Sequence, residues 1–367
     1  MASILVCGVF GNLNQLPYGG GQTSARRFVA LLKKLDFDVR VFNRHPRVGS
    51  KFKRFFLYLS DIPSFIGTLI KHRKTAPVVI VIVYCCSMLP FFLLFARLAM
   101  LFGLKTWLYL KGGFTEDNLK KESAYCQKTF IRIAGQAQCI LSEGEEIIPF
   151  IRNLSKQSIV EYVPNFVEDR LLLSDNPVRD CNSIKLVYSG RIDKKKNVLT
   201  VIAVYELLRE KNFPCSLAII GAGDTKYEII VNDAIEHSKY SDGIRRIEHI
   251  PQEELHQELK NYHFYIFPSI EPREGHPNSL NDAMSCGVVP IVSDNNYQDL
   301  IVGDNYLVIN GYNPNDYADR IAELWISGRF HDYSDYVFNR VKNNYTQTRV
   351  EDVLNHLKSS KLFKREQ

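Results

Sequence analysis

The segment EPREGHPNSLNDAMSCG, from Glu271 to Gly287, combines two well-placed carboxylates with a predicted helix start. Glu274 precedes the helix and Asp282 lies one turn inside it, and the loop before the helix lets Glu274 fold back toward the same terminus. Carboxylates accept hydrogen bonds from hydroxyl groups, and the free N–H groups of a helix start favour phosphate. The pattern indicates a site for a ligand that carries both groups. The alternative is ordinary capping, because acidic residues stabilise helix starts by about 0.3–1 kcal/mol.

Asn278 or Ser279 is expected to cap this helix, because both side chains can accept hydrogen bonds from first-turn amides. Gly287 is expected to follow the last helical turn as its left-handed residue. The residues VVPIVSD that come next have the character of a buried strand. The polar segment therefore joins a helix to the core of a sheet.

A second charged loop is SGRIDKKKN, which follows the predicted strand Ile184–Tyr188. Gly190 ends that strand, Arg191 comes directly after it, and Lys196 is five residues further on, before a helix that Asn197 can cap. A guanidinium can bind two phosphate oxygens at once, and a lysine can meet the same group as a mobile charge. The spacing fits a diphosphate, whereas the alternative is a solvated run of charges.

A third loop, GNLNQLPYGGGQTSARRF, follows the first predicted strand. Gly20 and Gly21 precede a helix that we expect to open at about Thr23. Glycines allow the backbone to approach a ligand closely, and the helix start adds amide donors for phosphate. The alternative is a flexible loop before a helix.

Twelve short runs rich in β-branched and apolar residues alternate with helical patterns, which predicts two doubly wound α/β domains with parallel sheets. The predicted strands are Ile4–Val9, Val39–Asn43, Val78–Tyr84, Thr106–Leu110, Ala137–Leu141, Ser158–Val163, Ile184–Tyr188, Ser216–Ile220, Ile244–Ile250, Phe264–Pro268, Val288–Val292 and Leu307–Asn310. Ligands bind beyond the carboxyl ends of strands in such sheets, and that is where the three loops lie.

The predicted boundaries are a first domain over residues 1–168, a linker over 169–183 and a second domain over 184–345. Residues 346–367 are expected to form a helical tail that can cross back to the first domain. Residues 1–170 contain 23 Lys and Arg against 12 Asp and Glu, whereas residues 171–367 contain 23 against 28. The basic half suits an anionic surface or ligand, and the acidic half must bind anions through a few local groups.

The 367-residue chain has 46% hydrophobic and 23% charged residues, the composition of a globular protein. Its eight cysteines include no CxxC pair, so we expect neither a zinc site nor a disulfide framework. No basic region precedes the first apolar run, which favours a buried strand over a signal peptide and predicts a cytoplasmic protein.

Two further segments of the first half concern membranes. Met88–Leu104 is apolar except for Arg97, and we expect a buried or partly surface-seeking helix in preference to a transmembrane one. A basic aromatic patch is predicted to contact anionic lipid headgroups at the inner face of the plasma membrane. It comprises Arg44, Arg47, Lys51, Lys53, Arg54, Phe52, Phe55 and Phe56.

Together the loops resemble glycosyltransferase family 4, a retaining family that uses nucleotide sugars and adopts the GT-B fold. The resemblance covers nearly the whole chain and rests on YGGGQ, SEGE, VPNFVE, SGRIDKKKN, IIGAGD and EGHPNSLNDAMSCG. It implies two Rossmann-like domains facing across a cleft, with the acceptor on the first domain and the donor on the second. It implies a hexosyltransferase-type enzyme that needs no cofactor or metal and uses a UDP- or GDP-sugar as donor. The implied acceptor is a glycan, lipid-linked in bacterial-type surface polysaccharide assembly, and no nucleic acid is involved.

Carried onto this chain, the resemblance implies that Arg191 and Lys196 hold the diphosphate and that Glu274 contacts the donor sugar. These three residues are the predicted catalytic set. Asp282 occupies the position of the second acid, which meets the ribose hydroxyls in the family, but its side chain is shorter. The predicted donor-binding residues are Gly20, Gly21, Gly190, Arg191, Lys196, His276, Pro277, Asn278, Ser279, Leu280 and Asp282.

The sequence departs from the family in the loop YLKGGFTE, where many relatives have a histidine and this chain has Lys111. Lys111 either neutralises a leaving diphosphate or an acceptor anion, or is a surface lysine. His276 replaces a residue that is often apolar and is expected to shape the pocket. Two other functions remain open at this point: a nucleotide-sugar epimerase of the same architecture, and a catalytically silent binding protein.

Overall fold

The structure is a computed structural model that describes residues 3–15, 17, 19–45, 51–86 and 88–360, without the side chains of residues 51–55. The chain divides into two compact units. The first comprises Met1–Asn165 and Gln347–Gln367, and the second comprises Phe166–Thr346.

The first unit is built on a parallel six-stranded sheet with the strand order β2-β1-β3-β4-β5-β6. The strands are β1 (Ser3–Gly8), β2 (Asp38–Asn43), β3 (Val78–Tyr84), β4 (Lys105–Lys111), β5 (Cys139–Ser142) and β6 (Ile159–Tyr162). The central strands are mostly apolar because helices cover both faces of the sheet. In the sequence VVIVIVY of β3, for example, the first six residues are buried.

Helices of the first unit connect and cover these strands. They are α1 (Gly20–Lys34), α2 (Lys51–His72), α3 (Leu89–Leu101), α4 (Glu116–Lys120), α5 (Ala124–Ala134) and α6 (Ile148–Leu154). The apolar segment predicted as a buried helix forms α3, which packs on β3 and β4 in the core of this unit. No helix among the described residues has the length and apolar character needed to cross a bilayer.

The second unit has its own parallel six-stranded sheet, with the order β12-β11-β10-β7-β8-β9. Its strands are β7 (Ile184–Ser189), β8 (Cys215–Ile220), β9 (Ile244–Ile247), β10 (Phe264–Phe267), β11 (Val289–Ser293) and β12 (Val308–Ile309). The helices are α7 (Val198–Glu210), α8 (Thr225–Glu236), α9 (Gln252–Leu259), α10 (Asn278–Ser285), α11 (Gln298–Val302), α12 (Pro314–Ile326) and α13 (Phe330–Asn344).

The last helix, α14 (Gln347–Ser359), belongs to the first unit. Lys34 at the end of α1 donates to Glu351 over 2.6 Å, and Lys358 donates to the backbone carbonyl of Leu35. Residues 169–183, expected as a linker, lie in the second unit, where Asn176 donates to Ser334 and Asp335 of α13.

Each of the twelve predicted strand segments overlaps a strand, with ends that differ by no more than three residues. The predicted α/β class with parallel sheets is confirmed.

Candidate active site

Gly190 and Gly221 bring the ends of β7 and β8 into close contact. A Cβ on Gly221 would lie 1.9 Å from the carbonyl oxygen of Gly190, and both glycines have φ angles that favour glycine, +136° and +149°. A side chain at Gly221 is therefore excluded. The loop after β7 begins with Gly190, which has no side chain, at the edge where ligands bind in such sheets.

Asp193 organises the loop that carries the predicted diphosphate-binding cations. One of its oxygens accepts hydrogen bonds from the amides of Lys195 and Lys196, at 2.9 and 3.1 Å, and the other pairs with Arg191. Asp193 thereby caps a short 3₁₀ helix, Lys194–Lys196. The prediction that Asn197 caps the next helix is half right: Asn197 occupies the cap position with a φ of 56°, but its side chain forms no capping hydrogen bond.

Lys196 and Glu274 meet in an ion pair at the carboxyl edge of the second sheet. The Lys196 ammonium donates to Glu274 Oε2 and lies 5.1 Å from the centre of the Phe267 ring. Ser269, which is fully buried, donates to the same carboxylate oxygen over 2.7 Å. The structure therefore brings together two of the three predicted catalytic residues, although 78 positions separate them in the sequence.

The sequence reasoning missed Ser269, whose position is fixed by neighbours at the ends of β10 and β11. The backbone carbonyl of Ser269 accepts hydrogen bonds from Ser293 Oγ at 2.9 Å and from Asn295 Nδ2 at 3.0 Å. The signal available in the sequence is its place directly after the predicted strand Phe264–Pro268. A single serine in a sequence does not show whether its side chain will hydrogen-bond a carboxylate or simply lie in a loop.

Helix α10 begins beside Gly190. Ser279, in its first turn, forms a 2.8 Å hydrogen bond with the Tyr265 hydroxyl, which donates to the carbonyl of Ser189 at the end of β7. A Cβ on Gly190 would lie 3.8 Å from Ser279 Oγ, so these predicted residues are neighbours.

The expectation that Asn278 or Ser279 caps α10 is wrong. The helix already begins at Asn278, and the cap position is Pro277, whose side chain forms no capping hydrogen bond.

Two buried tyrosines support this edge of the sheet. Burial raises the pKa of Tyr188 and of Tyr265 well above the ordinary value, so both hydroxyls stay neutral and can donate. Tyr188 donates to the carbonyl of Arg191 over 2.8 Å. This hydrogen bond holds the backbone of Arg191 in place, while the Arg191 guanidinium remains partly exposed.

His276 lies inside the packing of the second unit. Its Nε2 is 2.8 Å from Asn281 Oδ1, and its ring packs edge-on against Tyr345 with the centroids 4.8 Å apart. Pro277 and Leu280 are also buried. These contacts place His276 in the packing beside α10, and its role in shaping the pocket stays a prediction.

Asp282 is buried in contact with α9. Its Oδ1 accepts a hydrogen bond from Gln252 Nε2 at 3.1 Å and lies 3.2 Å from His256 Nε2. Burial by itself lowers the pKa of His256, but hydrogen bonds to Asp282 and Cys286 outweigh it and raise that pKa to about 10. His256 is therefore protonated at neutral pH, and the second acid forms a buried ion pair with it. Neither His256 nor Gln252 belongs to a sequence motif that predicts contact with Asp282.

The loop after β1 in the first unit is fixed by Arg26. Its guanidinium donates to the carbonyls of Phe10, Asn12 and Gln15 over 2.7–2.8 Å.

The helix that follows this loop starts earlier than expected, at Gly20, with Gly19 before it at a φ of 84°. Gly20 and Gly21 therefore form the first turn of α1, and a Cβ on Gly21 would lie 3.4 Å from the Tyr84 hydroxyl. Leu16 and Tyr18 of the same loop lie outside the described residues.

Lys111 is buried at the carboxyl end of β4, so the interpretation as a surface lysine is wrong. Its ammonium lies 3.2 Å from Glu143 Oε2 and donates to Asn165 at 2.6 Å and to Tyr109 at 3.1 Å. The amide of Gly112 donates to the other oxygen of Glu143. In this arrangement the ammonium is engaged by buried groups of the first unit and does not face solvent.

Arg44, expected in the basic surface patch, is also buried, and that part of the prediction is wrong. Its guanidinium packs over Phe95 and Phe92, at 4.4 and 4.7 Å from the ring centres, and its Nε lies 3.8 Å from Asp61. Arg47 and the side chains of Lys51, Phe52, Lys53, Arg54 and Phe55 lie outside the described residues. Phe56 is exposed.

A search of the described residues for three or more His, Cys, Asp or Glu that could hold a metal ion finds no such group.

Comparison with known proteins agrees with this fold. Residues 173–335 match the family model described as "Glycosyl transferases group 1", and the matched region contains the loops of Arg191, Lys196, Glu274 and Asp282. This match supports a glycosyltransferase family for the chain. A search of curated protein sequences found no significant match.

Solved structures share the fold over nearly the whole chain. Sucrose-phosphate synthase from Thermosynechococcus elongatus is 14% identical, with a TM-score of 0.74 and 98% of both chains covered. HepE from Anabaena, solved in complex with UDP, is 10% identical with a TM-score of 0.70, covering 98% of this chain and 100% of its own. The pneumococcal O-GlcNAc transferase GtfA, in complex with UDP and GlcNAc, is 14% identical with a TM-score of 0.61 and covers 81% of this chain but 59% of its own. The chain has the GT-B fold, with two Rossmann-like domains.

Proposed function

We propose that this protein is a retaining glycosyltransferase of family 4 that transfers a hexose from a nucleoside-diphosphate sugar to a glycan acceptor. The observation that carries the proposal is the Lys196–Glu274 ion pair at the carboxyl ends of β7 and β10. A cation for a leaving diphosphate and a carboxylate for sugar hydroxyls stand side by side there, and the site lies where ligands bind in doubly wound sheets.

In this proposal the second unit binds the donor. Arg191 and Lys196 meet the diphosphate, the first turn of α10 offers its amides to it, and Glu274 accepts hydrogen bonds from the sugar. The support for a nucleotide donor is the likeness to HepE, whose solved complexes contain UDP and UDP-glucose. A UDP- or GDP-sugar is the proposed substrate, and no cofactor takes part in the proposed reaction.

The proposed reaction breaks the bond between the anomeric carbon and the diphosphate oxygen, and the electron pair stays on the diphosphate. The acceptor hydroxyl oxygen forms the new bond to the anomeric carbon, and its proton is released. Negative charge grows on the diphosphate while the sugar becomes oxocarbenium-like. Fixed cations and helix amides stabilise that charge without reorganising, which is the largest contribution to catalysis at many such sites.

The first unit is the proposed acceptor side, and the proposed acceptor is a lipid-linked glycan of bacterial-type surface polysaccharide assembly. The excess of basic residues in positions 1–170 supports contact with an anionic membrane surface. The protein would then work in the cytoplasm, peripherally attached to the inner face of the plasma membrane.

A panel of nucleotide sugars tests the proposal. The donor should stabilise the protein against thermal unfolding, and mass analysis should detect a glycosylated product when a lipid-linked or soluble glycan is added. Free nucleoside diphosphate should appear in step with that product. Conversion of the nucleotide sugar without an acceptor would instead indicate an epimerase, and binding without any conversion would indicate a silent binding protein.

A further inference from the structure

Helix α2 exposes a long face that carries no charge. Between Phe56 and Ile70 the only acidic or basic residue is Asp61, which is buried beside Arg44 and His45. The exposed residues of this stretch are Phe56, Leu59, Ser60, Pro63, Ser64, Gly67 and Ile70. The surface face of a helix in a globular protein is ordinarily polar and charged.

The exposed apolar residues are not needed for the core of the first unit. The opposite face of α2 supplies that packing: the Phe65 ring lies 4.8 Å from Phe95 and 5.0 Å from Phe42, and Tyr58 packs against Phe91. Phe56, Leu59 and Ile70 point the other way and are 53%, 39% and 55% exposed.

Positive charge lies at one end of this face. Lys71, Arg73 and Lys74 are exposed where the helix ends, and residues 1–100 contain 14 Lys and Arg against three Asp and Glu. The stretch from Phe56 to Ile70, whose exposed residues carry no charge, is 15 residues long, or about 22 Å of helix. An apolar face with a basic border is typical of a helix that lies in the interface of an anionic bilayer.

We propose that α2 is the membrane-docking element of this protein, with Phe56, Leu59 and Ile70 entering the headgroup region and Lys71, Arg73 and Lys74 meeting acidic headgroups. The inference rests on the proposed function, in which the acceptor is lipid-linked. An anionic lipid surface fits better than a protein partner because the exposed residues in the middle of the face, Ser60, Pro63, Ser64 and Gly67, are small and the exposed charges where the helix ends are basic.

Vesicle co-sedimentation tests this surface with the full-length protein. The parent should bind vesicles of phosphatidylcholine mixed with phosphatidylglycerol, and binding should fall as salt rises because headgroup attraction is screened over about 8 Å. The variant Phe56→Ser/Leu59→Ser/Ile70→Ser should bind at least about tenfold more weakly, since it loses its apolar contact. The variant Lys71→Gln/Arg73→Gln/Lys74→Gln should lose about fivefold per charge with the mixed vesicles.

A matched control removes equally exposed apolar side chains elsewhere in the first unit. The variant Leu101→Ser/Tyr125→Ser/Ile131→Ser changes residues of α3 and α5 that are exposed, Leu101 by 71%. It should bind vesicles as the parent does. The α2 serine variant and this control should have similar thermal unfolding midpoints, because each replaces two widely exposed side chains and one that is less exposed, Leu59 at 39% or Ile131 at 40%.

Three outcomes would overturn the assignment of α2. The parent could fail to bind the mixed vesicles, the α2 serine variant could bind them as the parent does, or that variant could abolish a lipid-free dimer seen by sedimentation velocity, which would make the face an interface between copies. Stabilisation by free UDP or GDP and sugar transfer to a soluble glycan are measured on the same samples. Intact transfer with no vesicle binding refutes only the docking helix, whereas absent transfer in the parent refutes the proposed function.

Discussion

Lys196 and Glu274 neutralise each other at the carboxyl edge of the second sheet, with Ser269 donating to the same carboxylate oxygen. A diphosphate that approaches Lys196 therefore meets the negative charge of Glu274 as well. In the proposed reaction a nucleotide sugar exchanges these partners, because its phosphate replaces the carboxylate on Lys196 and its sugar hydroxyls donate to Glu274. A free nucleotide offers Glu274 no such hydroxyls.

The variant Glu274→Gln should separate binding from turnover. Gln keeps the size of the side chain but removes its charge, so Lys196 remains fully positive toward a phosphate. We expect the affinity for free nucleoside diphosphate to rise by about threefold to tenfold. We expect kcat for sugar transfer to fall by about a hundredfold or more, because a charged contact to the reacting sugar is lost. Calorimetric titration and steady-state kinetics measure the two effects.

Glu271→Gln is the control for this substitution. Glu271 also pairs with a lysine of the same loop, Lys195 at 2.7 Å, but Lys195 is more exposed and lies outside the predicted catalytic set. Removal of the Glu271 charge should change nucleotide affinity and kcat by less than about threefold.

Equal losses of affinity for free nucleotide and nucleotide sugar in Glu274→Gln would show that Glu274 does not contact the sugar.

Arg191→Ala should weaken donor use about tenfold to a hundredfold, since a hydrogen bond to a charged group is worth about 1.5–3 kcal/mol. The guanidinium is partly exposed, so the variant should unfold at the same temperature as the parent. Lys194→Ala, which removes an exposed cation three residues away, should leave kcat/KM nearly unchanged. A kcat/KM for Arg191→Ala equal to that of the parent would remove Arg191 from the donor site.

The strand pattern and the loops could be predicted because they depend on local signals. A run such as VVIVIVY indicates a buried parallel strand, and Gly190 followed by Arg191 marks the carboxyl end of one. The partners of the site residues could not be predicted in this way. His256 reaches Asp282 from a neighbouring helix, and Glu143 reaches Lys111 from a neighbouring strand, so both contacts exist only through tertiary packing. The burial of Lys111 and Arg44 could not be predicted for the same reason, because it too depends on tertiary packing.

The His256–Asp282 pair predicts a pH-dependent contribution to stability. The pKa of His256 is raised from the ordinary 6.5 to about 10 in the folded protein. A group whose folded pKa is raised contributes its full stabilisation below the unfolded pKa and loses it as the pH rises through the folded pKa. The difference in unfolding midpoint between the parent and His256→Gln should therefore be largest near pH 6 and should shrink toward pH 10. A difference that stays constant or widens over this range would contradict a protonated His256.

The Lys111–Glu143 pair should show strong coupling between its two members. Lys111→Met leaves the Glu143 carboxylate buried without its cation, which costs about 3–5 kcal/mol of unfolding free energy. Adding Glu143→Gln removes the uncompensated charge and keeps an oxygen for the Gly112 amide, so the double variant should recover much of the loss. Urea unfolding of the two single variants, the double variant and the parent measures the coupling free energy.

The same cycle distinguishes a structural role of Lys111 from a direct role in the reaction. If Lys111 only secures the end of β4, the double variant should regain sugar transfer together with stability, and its affinity for free nucleotide should equal that of the parent. A double variant that is as stable as the parent and folds fully but transfers no sugar would show instead that the ammonium acts on a substrate. The ion pair with Glu143 and the hydrogen bonds to Asn165 and Tyr109 favour the first result.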